Sequence, residues 1–143
     1  MDNENVQQDF FASDAVGLVR VNVATARALL RTLILALEAV EDGAILFKED
    51  PGPARWSNVL SQVCKRLVTV RTALTESVSA PSVDWWTPLN LADALDAALW
   101  GAATGKRVWG LEGPEVISAA QAVIDSLDAL MEDIQSVEVA AAT

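Results

Sequence analysis

Two carboxylates and an indole stand at helical spacing in PLNLADALDAALWG, Pro88 to Gly101. Asp93 and Asp96 are three residues apart, and Trp100 follows Asp96 by four. On a helix such spacings share a side. Paired carboxylates can hold a divalent cation or an organic cation, and an indole face attracts a cation through its quadrupole. Asp125 and Asp128 repeat the carboxylate spacing farther along. Neither pair has a histidine to extend it, because the chain contains no histidine and no tyrosine. That removes the usual proton shuttle near neutral pH and most metal-ligand sets.

Other reactive residues fare no better. Cys64 is the sole cysteine, lacks an activating base, and lies beside an apolar stripe, so it reads as an inert core thiol. The run GAATGKR looks at first like a phosphate loop. Its glycines are one residue too close, Arg107 stands where Ser or Thr is needed, and it closes a helix instead of opening one. Arg71 interrupts the apolar side of its helix near Cys64. It either snorkels to water, pairs with a buried carboxylate, or serves as counter-ion to a ligand. The chain therefore reads as non-enzymatic, with no cofactor and no metal implied.

The elements that must position these residues are helical. Residues 1–11 read as a polar, mobile leader, residues 12–139 as one helical domain, and residues 140–143 as a frayed end. A first helix is expected from Ser13, a good N-cap, to Asp42, with Gly43 as its stop. The loop FKEDPGP ends it. A second helix follows over 54–79. A third is expected from Thr87 as N-cap, with Pro88 at the first helical position, to Thr104 with Gly105 as C-cap. Gly113-Pro114 opens a fourth, running to Val139. The fold expected is all-α, an antiparallel four-helix bundle, with room for a break in the first helix between Gly17 and Asn22.

Helical phasing assigns the faces. In the first helix Arg20, Arg27, Arg31, Glu38 and Asp42 share a narrow sector, and valine and leucine cover the rest. Such a helix is either the central element of the bundle or gives a face to an oligomer. The second helix has a clean stripe through Trp56, Val59, Leu60, Val63, Leu67, Val70 and Leu74. The fourth has one through Val116, Val123, Leu127, Leu130 and Ile134. In the third, Leu91, Leu95, Ala98, Leu99 and Ala102 are taken as the apolar side, with Asn90, Asp93, Asp96 and Thr104 opposite.

Trp100 points with the acids. Trp85 and Trp86 precede this helix and Trp109 follows it. Either the loops fold over Trp100 as an aromatic mini-core, or these tryptophans, with Asp93 and Asp96, form a surface for a partner. Charge narrows the partner. The net charge is -10, which repels phosphates and anionic lipid, so neither nucleic acid nor membrane is expected. Residues 80–143 hold ten acidic and two basic side chains, net -8. The arginines of the first two helices can pair with those acids, within a chain or between two chains.

One cysteine and no apparent signal segment fit the cytoplasm. The function expected is protein–protein contact, with a basic protein as partner and with homo-oligomer formation. A bundle binding an amphipathic ligand between helices, with Arg71 as counter-ion, is an alternative. An acidic decoy for a basic nucleic-acid-binding protein is another.

Overall fold

A computed structural model describes residues 9–41, 53–104 and 113–142. Among these residues the chain is all-helical, without strand, and its packing is bundle-like. A short helical segment, α1, covers residues 9–11. Four long helices follow: α2 (Asp14–Glu41), α3 (Pro53–Glu76), α4 (Trp86–Ala103) and α5 (Gly113–Ala142).

The long helices form a ring. Each packs on its neighbours in sequence, α2 also packs on α5, and the diagonal pairs do not touch among the described residues. Direction follows from named pairs. Arg20 meets Glu138 and Arg27 meets Asp128, so α2 and α5 run oppositely. Ser57 meets Asp96 while Cys64 faces Asp93, so α3 and α4 do as well. One core fills the ring, with Leu30, Leu37, Leu60, Leu99, Leu127 and Ile134 each 1% exposed or less. The stripes expected on α3 and α5 are buried, except that Trp56 and Val59 of α3 are half-buried. At 3.6 residues per turn their apolar residues recur on one side, and burying that side drives the packing.

Several local expectations need correction. α2 is continuous through Gly17 and Asn22, and the interruption lies at residues 12–13, before it. Asn22 is buried yet satisfied. Its Nδ2 donates to the Leu18 carbonyl at 2.7 Å, and its Oδ1 accepts from Arg66 at 3.3 Å, so the helix passes without a break. Phe10 is fully buried and Phe11 packs half-buried against the core, so this end of the expected leader joins the fold, while Asp9 is exposed. The Ser13 hydroxyl donates back to the Phe10 carbonyl at 2.6 Å and closes the turn between α1 and α2. At the other end α5 continues to Ala142, and Ala141 is buried, where fraying from 140 was expected. Gly43 and Gly105, expected as helix stops, lie outside the described residues.

α2 is not the central element. Its inner side is buried, but Leu18, Val21 and Leu35 are 51%, 61% and 53% exposed. α4 is rotated from its expected phase. Its buried residues are Pro88, Leu89, Ala92, Leu95 and Leu99, while Leu91 is exposed. Ala92 is the physical reason: the ring needs a small residue where α4 approaches its neighbours, and alanine carries little hydrophobic signal.

Candidate functional site

The rotation of α4 changes the surroundings of the acids. With Ala92, Leu95 and Leu99 turned inward, Asp96, Trp100 and Asp93 fall on the adjoining flank, within a sector of about 60° at 100° per residue. That flank faces α3. Together with Ser57, Asn58 and Ser61 of α3, and Ala97 between them, they line an open groove of about 600 Å³. Trp100 is 58% exposed at its rim.

Local sequence explains how the groove is held. Ser57, Ser61 and Cys64 stand at i, i+4 and i+7 on one side of α3, and the two serines of this row line the groove wall. Ser57 is buried, and its hydroxyl donates to Asp96 Oδ1 at 2.6 Å. That bond fixes one carboxylate and leaves its second oxygen uncommitted among the described residues. Cys64 is half-buried. Desolvation first, then its hydrogen bond to Asp93 and the charges of Asp93 and Asp96, push its thiol well above the ordinary range. The thiol therefore stays protonated and acts as a donor to Asp93.

The ends of α4 set its register. At the N-terminus, Asp84 accepts from the Thr87 amide at 2.9 Å and from the Thr87 hydroxyl at 2.6 Å. Asp84, not Thr87, is the capping acceptor. Pro88 lies in the first turn, two residues after the first helical residue, Trp86. At the C-terminus the Thr104 amide and hydroxyl both donate to the Trp100 carbonyl, at 3.0 and 2.9 Å.

The expected tryptophan surface divides. Trp85 packs partly buried against the core, and Trp86 is 49% exposed, with their rings in a T-shaped contact at 5.8 Å. Fourteen residues separate Trp86 from Trp100, which is about 21 Å along a helix axis. The two therefore do not share one small site. Trp109 lies outside the described residues. Arg71 is exposed and lines neither this groove nor the one between α2 and α3. That second groove, about 440 Å³, is lined chiefly by Leu29, Leu33, Val40, Trp56 and Val59.

Sequence reasoning identified the α4 wall of the polar groove and missed the α3 wall. The row of Ser57, Ser61 and Cys64 was the available signal. The groove offers two carboxylates, two serine hydroxyls and an indole, groups whose chemistry is complementary to a cation. No cluster of three metal-ligating side chains occurs among the described residues, and no described helix is long and apolar enough to cross a membrane. In comparisons with known proteins, no family model, no curated protein and no solved structure matches this chain.

Proposed function

We propose that this chain is a non-enzymatic, antiparallel four-helix bundle that works through protein–protein contact and self-association. Its recognition site is the α3/α4 groove, which receives a lysine or arginine side chain from a basic protein partner. One observation carries the reading: Trp100, largely exposed, stands on the same flank as Asp93 and Asp96 at the edge of the groove. A cation seated there meets an indole face and two carboxylates together, an arrangement worth about 0.5–2 kcal/mol for the indole alone. The acidic balance of residues 80–143 draws a basic partner toward that side at low ionic strength.

The other two readings are less well supported. Arg71 reaches neither groove, so the amphipathic-ligand reading loses its counter-ion. Two acids of α5, Asp128 and Glu138, are engaged by Arg27 and Arg20 and do not form a free periodic row, which disfavours an acidic decoy.

The test is a titration with a hexa-arginine peptide, followed by NMR of the indole N–H groups and by calorimetry. Trp100 should shift most. Trp100→Ala, and Asp93→Asn with Asp96→Asn, should each weaken binding by about tenfold, or about 1.4 kcal/mol. Asp125→Asn, on the exposed side of α5, should leave it unchanged. Equal weakening by all three would mean that overall acidity, not the groove, attracts the peptide.

A further inference from the structure

The outer side of α2 carries a second pattern. Leu18, Val21, Thr25, Ala28, Thr32 and Leu35 follow one another at intervals of 3, 4, 3, 4 and 3. That is the 3.5-residue period of a helix–helix seam, and it runs opposite the buried side of α2. Leu18, Val21 and Leu35 are each more than half exposed. The two threonines do not oppose burial. Thr25 donates its hydroxyl to the Val21 carbonyl at 2.8 Å, and Thr32 donates to the Ala28 carbonyl at 2.8 Å. The stripe can lose water without stranding a hydroxyl.

Charge identifies the occupant. The stripe itself bears none, and its flank toward α5 presents Arg20, Arg27 and Arg31, which would repel a basic partner. Across α2 as a whole three acids balance three arginines, although the chain carries -10. Two copies can therefore meet along α2 without bringing their acidic halves together. Arg20 and Arg27 are paired to α5, whereas Arg31 has no carboxylate partner among the described residues.

We infer that the outer stripe of α2 docks against the same stripe of a second copy, antiparallel, about a two-fold axis between residues 26 and 27. Leu18 then packs on Leu35 of the second copy, Val21 on Thr32, and Thr25 on Ala28, so small residues occupy the centre and large ones the ends. Arg31 comes level with residue 22 of the other copy. The pairs Arg20–Glu138 and Arg27–Asp128 place that level close to Gln135 of α5, about one turn from Glu132, which is exposed and within reach of the long arginine side chain. Two Arg31–Glu132 pairs, one on each side of the axis, complete the contact. The inference deepens the self-association proposed above.

Sedimentation equilibrium and light scattering should give twice the chain mass for the wild-type protein. Val21→Glu with Leu35→Glu should give a single chain mass with unchanged helical circular dichroism. Arg31→Glu should weaken the dimer about tenfold, and Glu132→Arg added to it should restore the wild-type affinity. In a Cys64→Ala background, Leu18→Cys and Leu35→Cys chains should form disulfides when mixed and not separately. A monomeric wild-type chain overturns both this inference and self-association itself. A dimer that survives the α2 glutamates, or one whose Leu18→Cys chains cross-link to themselves, overturns this surface and its direction alone.

Discussion

The hydroxyl of Ser57 reaches across from α3 and donates to the carboxylate of Asp96 on α4 at 2.6 Å. This bond ties the two walls of the groove together, and Ser57 is only 5% exposed. Ser57→Ala should cost about 1.5–3 kcal/mol, the range for a hydrogen bond to a charged group. Asp96→Asn keeps an acceptor and should cost less. Urea unfolding of both variants gives the order, and equal losses would mean that Asp96 contributes by charge alone.

Phe10 tests whether α1 belongs to the fold. Its ring is fully buried and meets Phe11 edge-on at 5.3 Å. Phe10→Ala should destabilise by about 3–5 kcal/mol, as for other buried phenylalanines. Phe11→Ala, at a half-buried position, should cost clearly less. A loss under about 1 kcal/mol for Phe10→Ala would place the ring outside the cooperative core.

Gly17 and Gly101 both lie inside helices, and a Cβ at either position meets no atom within 4 Å. Alanine there removes unfolded-chain entropy without a clash. Each change should stabilise by roughly 0.4–1 kcal/mol, raising the thermal midpoint by a few degrees in a chain of this size. Calorimetry reads both values.

Cys64 has a pH signature. Its folded pKa lies above the ordinary thiol value of 9.0, so the folded state favours the protonated thiol. Stability from this source is complete below the unfolded pKa and declines as pH rises past it. Unfolding free energy should therefore begin to fall above about pH 9, and Cys64→Ala should flatten that decline. A thiol reagent at pH 8 should label the native chain far more slowly than the urea-unfolded chain. Asp93→Asn should speed native labelling.

How far the sequence predicted this structure depends on side-chain size. α3 and α5 were legible because leucine, valine and isoleucine recur at helical spacing, and most of those residues are buried. α4 was phased wrongly because six of its eighteen residues are alanine. Ala92 is fully buried and Ala97 is exposed, and nothing in the residue type separates them. The acids and Trp100 were found by spacing, and their setting against α3 was not. Ser57 and Ser61 are too small and too neutral to announce a groove wall. Phe10 was hidden because its neighbours, Gln7, Gln8 and Asp9, are polar.

The contact between α2 and α5 has a kinetic consequence. Arg20 and Glu138 are 118 positions apart, whereas the other helix contacts join successive elements. On a ribosome adding about 5–20 residues per second, roughly 2–8 seconds pass between completion of α4 and completion of α5. Throughout that interval Val19, Leu30 and Leu99 have only part of their eventual cover. The nascent chain is then a three-sided trough, sticky along its open side, and most exposed to aggregation just before its last helix arrives.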